Sequence, residues 1–144
     1  YTATEINSRT EILLENYSKV INIEALTMID MCRKKIIPAV ISYTKSLCDA
    51  VISKNAIGID AKLEKKMAQK LNELTENIAD GVDILDNKVI LAQSKPEGVE
   101  MAKCYRNEVF AQMQKLRVLV DEAETMVSSE AWPFPSYSTL LYSI

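Results

Sequence analysis

The stretch LEKKMAQKLNELTENIADGVDILDNKVILA, residues 63–92, decides how this sequence folds. Its apolar residues recur in steps of three and four, at Leu63, Met67, Leu71, Leu74, Ile78, Val82, Leu85, Val89 and Ala92. Such steps place side chains on one face, because an α-helix completes a turn in about 3.6 residues. The stretch therefore predicts one long helix, with Asp60 positioned to cap its start and Ser94-Lys95-Pro96 to end it.

A second apolar stripe begins after the short segment KPEG, residues 95–98, at Ala102, Tyr105, Val109, Met113, Leu116, Val120, Ala123 and Val127. Two helices joined by so short a connection pack antiparallel. In the first helix lysines come near the start and acidic residues near the end. The helix dipole favours the opposite order, with acidic residues at the start. Folding the second helix back places Asp121, Glu122 and Glu124 beside Lys70 and its neighbouring lysines. We therefore predict an antiparallel helical hairpin over 60–127.

The first third of the chain has a less regular pattern, which predicts a helical arm over 1–54. Both Thr2-x-x-Glu5 and Ser8-x-x-Glu11 match a capping box, so the arm can start at either place. Whether a fresh helix begins at Asn22 stays open. Pro38 lies inside the arm, where a proline costs about 3 kcal/mol unless a kink absorbs it. We expect a bend near Lys34, one turn upstream.

These patterns indicate an all-α fold. The chain has 144 residues, enough for a single domain 1–144, and only three glycines, too few for the turns of an all-β fold. We predict an antiparallel bundle of three to four long helices, the first bent near Pro38. An aromatic and proline-rich tail with a short last helix completes it.

Several classes of function are disfavoured by composition. Histidine is absent, which excludes Ser-His-Asp and Cys-His catalysis and the Glu-x-x-His di-iron motif. A net charge of −3 gives no reason to expect nucleic acid. We also expect no signal peptide and no membrane span, since we found no apolar run of about 18 residues. Three separated cysteines predict reduced, buried thiols in the cytoplasm.

Two charged clusters are candidate sites of chemistry. Glu11 and Glu15 stand one helical turn apart and could hold a metal, but such spacing is ordinary on a solvated helix face. The run Arg33-Lys34-Lys35 could hold a phosphate, yet consecutive helical residues point in different directions. No glycine-rich phosphate loop occurs. We therefore assign no catalytic, cofactor-binding or metal-binding residue to this chain.

The tail EAWPFPSYSTLLYSI, residues 130–144, contains the only tryptophan and two of the four prolines. Pro133 and Pro135 prevent a continuous helix and hold the neighbouring rings on an extended segment. Residues 136–138 can then start a last short helix. The tail either seals the bundle or docks on another domain or subunit, since aromatic residues dominate interfaces. The candidate packing or docking residues are Trp132, Phe134, Tyr137, Leu140, Leu141 and Tyr142.

The tail WPFPSYSTLLYSI resembles the C-terminus of type III glutamine synthetases. The segment TATEINSRTEILLENYSKVINIEALTMIDMCRKKIIPAV, residues 2–40, resembles the helical region that follows their catalytic core, and LRVLVDEAETMV, residues 116–127, fits too. Thr139 departs from the pattern, which has an acidic residue there.

The resemblance implies a parent enzyme of nitrogen assimilation that joins ammonia to glutamate with ATP and Mg or Mn. Its catalytic residues have no counterpart here, and the chain begins with Tyr1 rather than methionine. We therefore expect a fragment of a larger enzyme: a non-catalytic C-terminal domain for packing, assembly or regulation. Its partners would be the catalytic domain of the same polypeptide and sister subunits of a homo-oligomer. The main alternative is a free-standing helical interaction module, and the remote one is a carboxylate-metal enzyme.

Overall fold

A computed structural model describes residues 2–135 of the chain. Within them the secondary structure is helical, without a strand, so the all-α prediction is confirmed. The helices form three continuous runs, two of which contain a π-helical segment. The first run is α1 (Ala3–Met31), a π segment (Cys32–Ile36) and α2 (Ile37–Ala56); the second is α3 (Lys62–Gln93); the third is α4 (Val99–Cys104), a π segment (Tyr105–Phe110) and α5 (Ala111–Met126).

The first run starts at the earlier of the two capping boxes. The backbone N–H of Glu5 donates to Thr2 Oγ1 at 3.2 Å, and the N–H of Thr2 donates to Glu5 Oε2 at 3.4 Å. These reciprocal bonds satisfy donors that a helix start otherwise leaves free. At the other connections Gly58 and Gly98 adopt φ of 81° and 106°, a region that residues with a Cβ rarely enter.

No fresh helix begins at Asn22, because α1 runs through this residue without a break. Asn22 Oδ1 accepts hydrogen bonds from Tyr105 Oη at 3.0 Å and from Gln93 Nε2 at 3.1 Å. The side chain is therefore engaged in tertiary contacts. A break at Asn22, which the sequence left open, is wrong.

A π-helical turn lies directly before Pro38. Cys32–Ile36 is π-helical, and Pro38 lies in the first turn of α2, directly after it. The N–H of Ile37 donates to the Cys32 carbonyl, five residues back, so the wider π turn comes directly before the proline, which has no N–H to donate and whose ring would clash with the preceding turn of a regular α-helix. The bend near Lys34 stays a prediction.

The chain divides into two compact units. Unit 1 contains the described part of Tyr1–Asp30 together with Gly81–Leu116, and unit 2 contains Met31–Asp80 with the described part of Arg117–Ile144. Each of the three divisions along the chain falls inside a helix. The single domain 1–144 stays a prediction.

In unit 1 one face of α1 is buried, and the end of α3 contacts the third helical run. Lys88 Nζ lies 3.1 Å from Glu108 Oε2, and Gln112 Nε2 donates to the Gly81 carbonyl at 3.1 Å. Residue numbers rise along one helix as they fall along the other, so the two run antiparallel here. The buried apolar residues include Ile21, Ala25, Ile29, Val82, Leu85, Val89, Ala102, Tyr105, Val109 and Leu116.

In unit 2 the start of α3 meets the end of α5. Lys70 Nζ lies 3.4 Å from Glu122 Oε1, one of the acids expected beside it. Leu63 was expected on the buried stripe but is exposed, whereas Glu64 next to it in the first turn of α3 is largely buried. The buried apolar residues are Cys32, Ile36, Val40, Leu47, Ala61, Ala68, Leu71, Leu74, Ile78, Ala123, Val127 and Trp132.

The first helical run, Ala3–Ala56, is more apolar than we expected. It contains an 18-residue window of mean hydropathy 1.3 with at most two charged residues, which passes a length-and-composition test for a membrane span. Our expectation that no segment would pass was wrong. Core helices of soluble proteins pass the same test, but only 17% of this window is buried. Much of the apolar surface of this run is therefore uncovered by residues 2–135.

Candidate docking surfaces

The chain after α5 turns sharply and directs Trp132 inward. The backbone N–H groups of Ala131 and Trp132 both donate to the Ser128 carbonyl, at 3.1 and 3.0 Å. Ala131 N–H also lies 3.2 Å from Ser128 Oγ. The turn forms because a serine hydroxyl can satisfy a backbone donor that no longer has a helical partner.

Trp132 packs within unit 2, where only 8% of its surface is exposed. Its ring meets that of Phe134 edge to face, with centroids 6.5 Å apart and planes at 74°. Lys35 Nζ lies 5.8 Å from the Phe134 centroid, a cation–π contact. Phe134 itself is half-buried.

The two aromatic rings, which the sequence analysis assigned to one group, therefore differ in burial. Trp132 contributes to the packing of unit 2, and Phe134 keeps part of its surface accessible. Tyr137, Leu140, Leu141, Tyr142 and the short last helix lie outside the described residues. Whether the tail as a whole seals or docks stays a prediction.

In unit 1 the first half of α1 makes little contact with the rest of the unit. No residue from 3 to 17 is buried, and the buried face starts only at Ser18. Leu13 is 69% exposed. The large aliphatic residues exposed on this helix are Ile6, Ile12, Leu13, Val20, Ile23 and Leu26. We call this set the α1 aliphatic surface.

Unit 2 exposes a second group of aliphatic residues around the α2–α3 connection, at Ile52, Ile57, Ile59 and Leu63. Beside it Lys54 Nζ donates to Glu64 Oε1 at 3.0 Å. The other oxygen, Glu64 Oε2, is buried and has no hydrogen-bond partner within residues 2–135.

The charged clusters chosen from the sequence have ordinary surroundings. Glu15 pairs with Lys19 at 3.0 Å, and with Glu11 it lines a cavity of unit 1. Within the basic run, Lys35 contacts Phe134. No group of three or more His, Cys, Asp or Glu that could hold a metal ion occurs between residues 2 and 135.

The cysteines differ from one another. Cys32 and Cys104 are buried as expected, and burial raises the pKa of the Cys32 thiol to about 11. Such a thiol stays protonated and unreactive. Cys48 is exposed, so the expectation of three buried thiols was wrong for this residue, which lies off the buried face that Val40 and Leu47 mark on α2.

The sequence analysis did not predict three hydrogen bonds inside unit 1: from Gln112 to the Gly81 carbonyl, and from Tyr105 and Gln93 to Asn22. Gly81 was a usable signal, because a glycine inside a strongly periodic helix often marks a close approach. Asn22 offered none, since its partners lie 71 and 83 residues away along the chain.

Comparison with known proteins indicates the family of this chain. Residues 1–55 match the family model described as the glutamine synthetase C-terminal domain. A glutamine synthetase of Butyrivibrio fibrisolvens is 34% identical over all of this chain, and a type-3 glutamine synthetase of Dictyostelium discoideum is 30% identical over 96% of it. A glutamine synthetase of Bacteroides fragilis (strain YCH46) is 26% identical over 99% of it.

The chain spans only 21%, 20% and 20% of the length of these three relatives. No solved structure matches it. The matched relatives share one family name, and the family model bears the same name. The chain belongs to the glutamine synthetase family, as a C-terminal part related to that of the type-3 enzymes.

Proposed function

We propose that this chain is a non-catalytic helical domain of a glutamine synthetase and that it serves packing and oligomer assembly. The parent enzyme would ligate ammonia to glutamate at the expense of ATP, in nitrogen assimilation. The relatives named glutamine synthetase support this, since each extends well beyond the portion that this chain matches.

The observation that carries the assembly role is the α1 aliphatic surface. None of residues 3–17 of α1 is buried, and an exposed group of large aliphatic side chains commonly marks a surface that binds another protein. Burying one of these side chains contributes about 1.5–3 kcal/mol. Six such residues on one helix are enough to anchor a domain.

We propose the catalytic domain of the same polypeptide and sister subunits as the partners of these surfaces, in the cytoplasm. Membrane and nucleic acid are not partners in this proposal. The helices would form one antiparallel bundle over 1–144, with the residues beyond 135 as a last short helix.

ATP and Mg or Mn belong to the parent reaction in this proposal. Residues 2–135 do not fit a metal, because they bring no three acidic or thiol ligands together. We therefore assign no step of the reaction to this chain.

The test uses the complete synthetase polypeptide that carries this chain. Ile12→Ser and Leu13→Ser together remove two exposed aliphatic groups, and Asn16→Ser on the same helix is the matched control. We expect the double variant to lower the oligomer mass in light scattering, and the control to leave it unchanged. The 144-residue chain carrying the same double change should melt at an unchanged temperature, since both side chains are exposed. An unaltered oligomer in the double variant would contradict the proposal, and so would synthetase activity in the isolated chain.

A further inference from the structure

The helix α2 of unit 2 is rich in apolar residues, yet little of it is buried. Of its 20 residues only Val40 and Leu47 are buried, and these two lie on one face. Ile41 and Ile52 are 54% and 67% exposed on the other side of the helix. Exposed groups of large aliphatic side chains commonly mark a surface that binds another molecule.

One line of exposed side chains follows this other side of α2 in steps of four, three and four residues: Ile41, Lys45, Cys48 and Ile52. Because an α-helix completes a turn in about 3.6 residues, such steps place the four side chains on one face. We call this set the α2 outer stripe. At its edge Lys45 Nζ lies 2.9 Å from Oδ2 of Asp49, one turn further along the helix.

The α2 outer stripe and Asp49 together form a pattern that is nearly symmetric end to end. The midpoint between Ile41 and Ile52 lies less than one residue from the midpoint between Lys45 and Asp49, and both fall near Leu47. A second, antiparallel α2 related by a two-fold axis at this level would place its Ile52 beside Ile41. The same axis would place its Asp49 beside Lys45. Two-fold interfaces require such self-complementarity, because both copies use the same surface.

Charge favours the antiparallel arrangement. In a parallel pair Lys45 would face Lys45 of the second copy, and Asp49 would face Asp49, so like charges would meet. In the antiparallel pair each lysine meets an aspartate, and an ammonium group has enough N–H donors to keep its partner within the helix as well. The same two charges disfavour a membrane as the partner, since charged side chains are costly inside a lipid bilayer.

We propose that the α2 outer stripes of two copies of this chain pack against each other, antiparallel and around a two-fold axis near Leu47. Ile41 of each copy covers Ile52 of the other, and Lys45 of each pairs with Asp49 of the other. This pairing deepens the assembly role proposed above and rests on it. It uses another helix than the α1 aliphatic surface, however, so the two contacts can fail separately.

The main test is sedimentation equilibrium of the reduced 144-residue chain over a range of concentrations, in which we expect a monomer and a dimer. Ile41→Ser with Ile52→Ser should raise the Kd of the dimer about tenfold or more, because these side chains lose their cover from water. Ile84→Ser with Ile90→Ser makes the same change at exposed positions of α3 and should leave the Kd unchanged. Circular dichroism checks that each variant folds.

Cys48 allows a test of the geometry. With helix axes about 8–9 Å apart, the proposed two-fold axis would bring the Cα atoms of the two Cys48 residues to about 6–7 Å. A disulfide usually joins Cα atoms about 4.4–6.8 Å apart. Diamide, which takes up the two thiol hydrogens, should therefore link two copies, and Cys48→Ser should prevent the link because Cys32 and Cys104 are buried. Linking should slow in the variant of Ile41 and Ile52, which retains Cys48.

An exchange of charges tests the register. Asp49→Lys should weaken the dimer severalfold, because lysines of the two copies then face one another. Adding Lys45→Glu restores opposite charges across the interface and should restore the affinity. The pairing is overturned if Asp49→Lys leaves the affinity unchanged or if Lys45→Glu does not restore it.

The sedimentation results can also overturn the pairing. A chain that is monomeric at every concentration would do so, and so would equal weakening by the α3 control. If Ile12→Ser with Leu13→Ser abolished the dimer while the variant of Ile41 and Ile52 retained it, the contact would belong to the α1 aliphatic surface. The assembly role would then stand without the pairing of α2.

Discussion

Gln112 donates a side-chain hydrogen bond of 3.1 Å to the backbone carbonyl of Gly81, and both residues are buried in unit 1. A Cβ on residue 81 would lie 3.2 Å from Leu116 Cδ1 and 3.6 Å from Gln112 Nε2. The missing side chain of Gly81 therefore allows α3 and α5 to approach closely at this point.

Gly81→Val should destabilise the chain by about 1–3 kcal/mol, because it forces extra methyl groups into a packed contact with Leu116. Urea unfolding followed by circular dichroism measures the change. Asn77→Val is the control, since it puts the same side chain on an exposed position of α3, and valine and asparagine have similar helix propensities. Equal effects of the two substitutions would show that propensity, and not the close approach, decides the outcome.

Tyr105→Phe should cost about 0.5–1.5 kcal/mol, the typical net contribution of one hydrogen bond, because Asn22 loses its phenolic donor. A double-mutant cycle with Asn22→Ala isolates the interaction. Additive effects in the cycle would mean that the contact contributes nothing to stability.

Trp132→Ala should destabilise the isolated chain by about 3–5 kcal/mol, as loss of a buried aromatic side chain does. Phe134→Ala, at a half-buried ring, should cost clearly less. Thermal melts of the two variants provide the comparison. If Trp132→Ala left the melting temperature unchanged but weakened assembly of the parent enzyme, the ring would act in docking.

The pKa of Cys32, raised by burial from 9.0 to about 11, predicts two pH effects. A thiol reagent at mildly alkaline pH should modify Cys48 quickly and Cys32 slowly, because only thiolates react and Cys48 is exposed. The folded state holds the Cys32 proton more tightly than the unfolded state does. Stability should therefore fall as the pH rises from about 9 towards 11, and Cys32→Ala should reduce that fall. Equal labelling rates for both thiols would contradict the assignment.

Long-range periodicity explains why most of the fold was predictable. Leu71, Ile78 and Leu85 repeat every seven residues, and only a helix buries such a stripe. Asn22 was misjudged because capping preference is a local signal, whereas the partner Tyr105 is 83 residues distant. The π-helical turn Cys32–Ile36 lies directly before Pro38, which is a local signal, whereas the sequence pattern does not mark the π-helical turn Tyr105–Phe110.

Lys54→Met tests the ion pair between Lys54 and Glu64, in which only 16% of the Glu64 side chain is exposed. Glu64 Oε2 already lacks a hydrogen-bond partner within the described chain, so removing Lys54 leaves a largely buried carboxylate without its cation. We expect the free energy of unfolding, measured in urea, to fall by about 1–3 kcal/mol, the cost of an unsatisfied buried group.

Lys45→Met is the matched control, because Lys45 pairs with Asp49 at 2.9 Å where both side chains are exposed, and exposed pairs contribute little. Adding Glu64→Leu to Lys54→Met should restore much of the loss, since a buried pair can be replaced by apolar groups at little cost. If the control lost as much stability as Lys54→Met, burial of Glu64 would not be the cause.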